Sequence, residues 1–515
     1  MDNQDNQEKS KVVIGLNFFT RLLNRFRELR KRVNQRMESR YSPSIIALVV
    51  TCISVILLII MLFLPNYLGV ADDGSISKVM NGVGVSYLES DVDEIYNNYF
   101  VRVYSNVLTE YQMASSNLSS HIIIVKTAVW LDNLFTHDKY FDIRFLGLIY
   151  GLLYAPALWL FVRQACVRVK RFSEGMVIGI FGVLIFADVS YITYFNSFYP
   201  EALWFIAFLY CVGAGLAFQE KRSGGKDFAL LMLVMASGLI LVSSRQQCAV
   251  IGIILSAYIL KLMFIRKHWL WVATCVITAT FLSFFSLLCM IRLENDFDVR
   301  SKFHAMTRGV LFQSDNPTET LEEFGIDPSY EMLTDASSYD YLPFVQAENV
   351  EVLQDFYDKY TVTDITAYYV RHPGKMFAML DVAVKAAFSI RRSYCGNYEI
   401  SVGLPKQAKS LFWSGWSTFK ENSAPKTIGY VIILIAGIVL LYGKSYSLRP
   451  KEDRRSTVVL DTLIMVVFVC FSQAIIAIIN SGDAELIQHC FLLGFGIDIV
   501  SYFVLAEVLH KLNIL

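Results

Sequence analysis

Residues 45–64 read IIALVVTCISVILLIIMLFL, a run with no charged side chain, and PNYLGVADDGSISKVM follows at 65–80. A helix rising about 1.5 Å per residue over that length covers the roughly 30 Å of a hydrocarbon core. The run therefore predicts a membrane-spanning helix. Its N-terminal flank carries Arg21, Arg25, Arg27, Arg30, Lys31, Arg32, Arg36 and Arg40, and the positive-inside bias puts that flank in the cytoplasm and the pair Asp72-Asp73 on the outer face. Basic flank and apolar core are both too long for a cleavable signal, and no small-residue cleavage site follows, so the segment is expected to stay as an anchor.

The rest of the chain agrees with this start. Its 515 residues are 55% hydrophobic and 14% aromatic, with mean hydropathy +0.44, more apolar than a soluble domain of this size. Further spans are expected at about 145–162, 176–191, 202–218, 228–242, 249–263, 270–291, 428–441, 458–479 and 486–508, giving an all-α polytopic bundle of about ten helices. The basic groups Arg163/Arg168/Lys170/Arg171, Lys221/Arg222/Lys226, Lys261/Arg266/Lys267 and Lys444/Arg449/Lys451/Arg454/Arg455 all fall at or after the ends of even-numbered spans. That spacing predicts a multi-pass plasma-membrane protein with both termini cytoplasmic. The expected organisation is a basic cytoplasmic segment (1–43), a transmembrane module (44–291) that includes a first external loop (65–143), an external, mainly helical subdomain (292–425) and C-terminal transmembrane helices (426–515). Amphipathic helices lying on the outer surface are expected near 96–111 and 355–369.

Composition also excludes partners. Forty-six basic and 46 acidic residues leave no net charge, so there is no electrostatic footprint for nucleic acid. Most cysteines fall inside spans, only Cys395 sits clearly in a long outer loop, and neither a disulfide framework nor a metal-ligand spacing results. No repeat of 20–50 residues stands out.

Polar groups concentrate at the outer edge. Asp72-Asp73, ahead of Gly74, reads either as a turn and helix cap or as a pair of catalytic carboxylates; in the acidic stretch that begins at Glu89, Asp91, Asp93 and Glu94 read as a solvated face. The connection Asp188-Val-Ser-Tyr-Ile-Thr-Tyr-Phe-Asn-Ser-Phe-Tyr-Pro-Glu201 gathers Tyr194, Asn196, Tyr199 and Glu201. Asp188 should face protein or water rather than lipid, and Glu201 follows Pro200 in the first turn of a helix, where an anion is favoured. The stretch is either an interfacial aromatic belt with a capping Glu or a sugar or pyrophosphate site. The turn Ser243-Ser-Arg-Gln-Gln247 offers Arg245 and Gln246 at headgroup level, for a phosphate or as a snorkelling cation. The late outer stretch adds His304, Arg308 and His372, with His372-Pro-Gly374 also a helix stop.

Together these features resemble the GT-C superfamily of polytopic glycosyltransferases that use polyprenyl-phosphate-linked sugars, and most closely the bacterial surface-glycan hexose transferases (WsfD-like). The likeness rests on an acidic residue soon after the first span followed by Lys78-Val-Met-Asn-Gly-Val-Gly-Val85, the Tyr194–Glu201 edge, the Ser243–Gln247 turn, and the Asn-Pro, Gly-Ile-Asp-Pro and His-Pro-Gly landmarks of the late region. It spans the chain from about residue 45 onward. It implies a catalytic carboxylate at Asp73, with Asp72 as neighbour and stand-in. The pair is Asp-Asp rather than the Asp-Glu of the mannosyltransferases, and Arg245 stands where many related chains carry Lys.

The chemistry needs a base for the acceptor hydroxyl, a cation for the departing phosphate and a dry pocket. Asp73 suits the first role, and Arg245 with Gln246, Lys78 or Arg308 the second. Tyr194, Asn196, Tyr199 and Glu201, with His304 and His372, suit the sugar and acceptor. The expected partners are a polyprenyl-phosphate sugar donor, a glycan or lipid-linked acceptor and the lipid bilayer. The displacement would invert the anomeric centre; no metal is required, although two adjacent carboxylates suit a divalent cation. A lipid-linked glycan transporter would instead carry ionisable groups near the membrane midplane, and a polysaccharide polymerase or ligase would concentrate its key residues in the late loop.

Overall fold

The structure is a computed structural model that describes residues 25, 28, 42–88, 92–106, 119–292, 299–337, 350–447 and 454–512. The basic N-terminal flank apart from Arg25, together with Glu89, Asp91, Arg449 and Lys451, lies outside them. Ten apolar helices form among the described residues: α1 (Pro43–Phe63), α2 (Arg144–Cys166), α3 (Phe172–Phe186), α4 (Glu201–Ala217), α5 (Gly224–Val242), α6 (Ile251–Leu262), α7 (Trp269–Arg292), α8 (Ile428–Tyr442), α9 (Val458–Ser481) and α10 (Phe491–Leu512). Seven are long and apolar enough to cross a membrane, α6 together with its flanking turns; α3 and the turns at Val189–Asn196 make an eighth around a 45° bend, while α4 and α8 are shorter apolar helices. The protein is a multi-pass, all-α membrane protein, its helices in the places that hydropathy predicts.

Helix starts and stops follow local chemistry. Pro43 sits in the first turn of α1, where its missing N–H leaves no bond unmade, and Pro65 follows the helix end. The third span stops at Phe186 rather than near 191 because the Asp188 carboxylate accepts the backbone N–H groups of Ser190 (2.9 Å) and Ser417 (2.9 Å), which fixes a break. The last span starts at Phe491 rather than near 486: Glu485 has a left-handed backbone (φ +54°), and Leu486–His489 form a separate turn.

Two expectations for the connections need correction. The stretch near 96–111 is not an amphipathic helix over its described part, since Val103–Asn106 form strand β2 between β1 (Val85–Ser86) and β3 (Tyr140–Asp142), both antiparallel to it. Tyr104 faces inward, opposite Phe141, and packs edge-on against Phe198 (4.9 Å between ring centres), so a period-two burial decides the conformation. Residues 107–118 lie outside the described part. Near 355–369 a helix does form, but over Val362–Arg371, started by a reciprocal cap between Thr361 and Asp364.

Within lipid the hydrophobic effect does not draw helices together, so close packing at small residues must. An added Cβ at Gly151 of α2 would lie 3.4 Å from Leu58 of α1, at Gly179 of α3 3.1 Å from Val50, and at Gly213 of α4 3.2 Å from the backbone of Phe161. At Gly496 of α10 it would overlap the Cys470 sulfur of α9. One set of ion pairs gathers at one end, where Arg163 joins Glu220, Asp227 takes Arg266 (2.5 Å) and Arg455 (2.6 Å), Lys261 joins Asp461, and Glu174 meets His510 (3.1 Å). One ion pair lies deeper: Lys420, on the late helix Gly415–Asn422, reaches Asp498 of α10 at 2.9 Å, and Tyr191 donates to the same carboxylate at 2.5 Å.

The α9–α10 contact yields a test. Gly496→Ala is expected to destabilise the detergent-solubilised protein by about 1–3 kcal/mol through overpacking, seen as a lower thermal-unfolding midpoint, and Cys470→Ala in the same chain to recover part of the loss. An unchanged midpoint for Gly496→Ala would show that α10 does not approach α9 so closely.

Candidate functional site

The site begins with the turn Ala71–Ser75. Each aspartate closes a local turn, Asp72 Oδ1 accepting Gly74 N–H (2.7 Å) and Asp73 Oδ1 accepting Ser75 N–H (3.1 Å). Gly74, which follows the pair, has φ +91°, a conformation that glycine adopts without strain. The two carboxylates then diverge. Asp72 Oδ2 accepts the Tyr87 hydroxyl at 2.6 Å, and Tyr87 is held by the small sheet through its contact with Tyr104. Asp73 Oδ1 also accepts the Ser75 hydroxyl (2.6 Å) and the Tyr199 hydroxyl (3.0 Å), while its Oδ2 takes Arg392 Nη1 at 2.6 Å.

Arg392 is the centre of the cluster. Its side chain is 1% exposed, and its Nη2 donates to Glu201 Oε1 at 3.1 Å. Its guanidinium lies over the Tyr199 ring, 4.0 Å from the ring centre, a cation–π contact made stronger by exclusion of water. Glu201, the first residue of α4, is fully buried, so its carboxylate serves Arg392 rather than a solvated cap. The aromatic edge is not an interfacial belt: Tyr191, Tyr194, Tyr199 and Trp204 are all buried.

A strand-like seam delivers Arg392 to this place. Late residues Cys395–Tyr398 run beside 68–71 and 97–100: Asn397 Nδ2 donates to Gly69 O (2.8 Å), Gly69 N–H to Asn397 O (3.1 Å), Ala71 N–H to Gly396 O (2.9 Å) and Phe100 N–H to Tyr398 O (2.9 Å). Gly396 is required by close approach, since a Cβ there would overlap Asn98 O. Arg391 turns the other way, to Asn397 Oδ1 (2.8 Å) and Ser410 O (2.8 Å), and closes the loop on itself.

Charge balance separates the two aspartates. Burial pushes the Asp72 carboxyl above its ordinary range, and the donors Tyr87 and Gly74 only partly offset it. Burial acts on Asp73 as well, but the Arg392 charge and the Ser75 and Tyr199 donors outweigh it and hold that carboxyl below the ordinary range. Burial opposes the charge on Arg392, which Tyr199, Asp73 and Glu201 together more than restore. Nearby, His489 Nδ1 donates to Gln247 Oε1 (3.0 Å), and burial, then Arg245 and Arg392, lower its pKa to about 3, so the imidazole is neutral.

A family model described as YfdI N-terminal transmembrane domain matches residues 28–515. The chain belongs to this family. No curated protein and no solved structure matches it.

In this YfdI-type domain the expected site residues separate into two groups. Asp73, Tyr199 and Glu201 meet at Arg392; Asp72 and Tyr194 adjoin them, Tyr194 packing edge-on against Tyr199 (6.2 Å) and donating to Ile390 O (3.1 Å). Arg245 stands close enough for its charge to act on Glu201, His121 and His489. Lys78 is exposed on the short helix Ser77–Val83 behind the aspartates. Asn196 is buried with its amide on Leu62 O (3.3 Å) and Leu68 O (3.0 Å), where it pins the end of α1. Gln246 binds Met290 O (2.8 Å). Arg308 is committed to Asp483 (2.7 Å) and Asp335 (3.1 Å), His304 is buried beside Ser337 (3.5 Å), and exposed His372 faces Glu323 (3.5 Å). These three make their hydrogen bonds and ion pairs away from Asp73.

Arg392 itself was not among the expected residues. Its signal in the sequence is Arg391-Arg392, two adjacent cations following the apolar helix Pro373–Ala387 and preceding Cys395-Gly396. No group of three or more His, Cys, Asp or Glu able to hold a metal ion occurs among the described residues, and Asp72 and Asp73 point to different partners.

The opposite shifts of the two carboxyls have opposite consequences. Asp73, lowered in the fold, stabilises it above its unfolded pKa near 3.8, and that contribution is lost as pH falls through the lowered value; Asp72, raised, costs stability at neutral pH, and the cost disappears on acidification. From neutral pH toward pH 4, the unfolding midpoint of wild type should therefore rise relative to Asp72→Asn. Below about pH 4 it should fall toward that of Asp73→Asn. Parallel curves for the two variants would refute the split.

Proposed function

We propose that this YfdI-type domain is a membrane glycosyltransferase that moves a hexose from a polyprenyl-phosphate donor to a cell-surface glycan or lipid-linked acceptor. The observation that carries this reading is the juxtaposition of a carboxylate and a buried guanidinium, Asp73 and Arg392, at the edge of an apolar helix bundle. The cluster offers an acid–base group and an anion-binding group side by side and largely out of water, at the edge of a membrane bundle where a lipid-anchored phosphate would arrive. The basic residues at the opposite end, Arg163, Arg222, Arg266 and Arg455, support a plasma-membrane orientation with that end cytoplasmic and Asp73 outside. The likeness to GT-C enzymes, and among them to surface-glycan hexose transferases, points the same way.

In the reaction the acceptor hydroxyl oxygen attacks the anomeric carbon from the side opposite the lipid phosphate. Its proton passes to Asp73, the carbon–oxygen bond to phosphate breaks, and the electron pair leaves with the phosphate. Arg392 and Arg245 neutralise that charge, and the anomeric centre inverts. Tyr199 and Ser75 fix Asp73, and Tyr194 fixes the Ile390 end of the late segment.

A polysaccharide polymerase or ligase is the second reading, favoured by Arg392 coming from the late segment; a lipid-linked glycan transporter draws support only from the deep Lys420–Asp498 pair. Donor choice separates the readings. Purified protein is expected to transfer hexose from a radiolabelled polyprenyl-phosphate sugar to extracted envelope glycan, with Asp73→Asn lowering the rate by about 10² or more and Asp72→Asn by less, since its carboxylate faces Tyr87. Activity only with pyrophosphate-linked oligosaccharides would favour the polymerase. Undiminished transfer by folded Asp73→Asn would remove Asp73 as base.

A further inference from the structure

The hydrogen bonds of the cluster leave Asp73 poorly placed to act as a base. A carboxylate offers about four lone-pair sites, and three donors occupy Asp73 Oδ1 while Arg392 holds Oδ2. Arg392, for its part, divides one charge between two carboxylates, with Nη1 on Asp73 and Nη2 on Glu201. The two grips differ. Glu201 is rigid at the start of α4 and fully buried, whereas Asp73 lies in an exposed turn beside Gly74, Ser75 and Lys78. Two atoms here, Arg392 Nε and Glu201 Oε2, are buried and make no hydrogen bond among the described residues. A buried guanidinium with a spare donor, stacked on Tyr199 and anchored from behind, suits an incoming tetrahedral anion better than a purely structural role does.

Resting on the glycosyltransferase reading, we infer that the donor phosphate displaces Asp73 from Arg392, so that the base is released only when the donor is bound. Glu201 keeps Nη2 throughout, and Nη1 passes from Asp73 Oδ2 to a phosphate oxygen. No covalent bond changes in this step; one ion pair replaces another. Asp73, now without its cation, becomes the stronger base and has a lone pair free for the acceptor hydroxyl. With no lipid phosphate in place, Asp73 stays paired with Arg392 and does not activate an acceptor. Binding should accordingly be ordered, donor before acceptor.

Asp73 and the phosphate compete for one cation, and this competition is measurable without catalysis. The probe is geranyl phosphate, with geraniol as control, titrated calorimetrically into the detergent-solubilised full chain. Asp73→Asn should bind the phosphate about tenfold more tightly than wild type, although its transfer is slower, and the gain should vanish when Arg392→Gln is added. If Arg392→Gln does not fold, the double variant Glu201→Gln/Arg392→Gln removes the carboxylate left facing it and takes its place as background. Equal affinity in wild type and Asp73→Asn overturns the exchange and leaves the transferase reading standing. A gain that persists without Arg392 reflects simple repulsion between Asp73 and the phosphate, and also overturns it. Phosphate binding no tighter than geraniol in every folded variant defeats the exchange and the phosphate-donor reading together.

Discussion

A single buried guanidinium holds the upper part of this molecule together. Removing either carboxylate or cation from water is costly, and only pairing makes it tolerable. Asp73, Glu201 and Arg392 therefore have to be assembled as a set or not at all. The three come from the first connection, the start of α4 and the late segment, so the set fixes the mutual position of three parts of the chain. The rest of the upper architecture reads as support for that arrangement. The seam from Leu68 to Tyr398 aligns two connections, Asn397 staples them, and Asn196 anchors the end of α1 to the turn below.

The same rule operates at the far end and in the middle, with different results. Asp227 is fully buried but meets two arginines, and Lys420 with Asp498 and Tyr191 forms a closed group at depth. In each of those clusters one carboxylate is shared between two donor side chains. In the Arg392 cluster the sharing is reversed, one buried cation serving two carboxylates, Asp73 and Glu201.

Much of the bundle was legible in the sequence because lipid imposes a simple demand: apolar side chains on every face for about the length of a span, with cations at one end. Where the sequence misled, a polar side chain had intervened. Asp188 looked like a residue near the end of a span, but its carboxylate caps two backbone amides and cuts the helix short. The aromatic run near Tyr104 looked helical, yet its register is set by Phe141 and Phe198, which lie far along the chain. Within the site, Asp73 and Glu201 were visible as carboxylates at a membrane edge. Arg392 was not, because its meaning depends on a seam that only the folded chain makes, and Asn196 looked like a ligand contact because an amide that binds sugar and one that binds carbonyls have the same spelling.

The separation of these partners along the chain has a consequence for biogenesis. Arg392 lies 319 residues beyond Asp73 and 191 beyond Glu201. Domains are synthesised and inserted from the N-terminus onward, so both carboxylates reach the membrane well before their cation is translated. Until then each must stay hydrated or protonated, and the aromatic edge around Tyr199 cannot close. The cluster thus forms only after α1–α7 have been made, and a chain stalled before Arg392 has those helices but neither the cation that completes the cluster nor α8–α10.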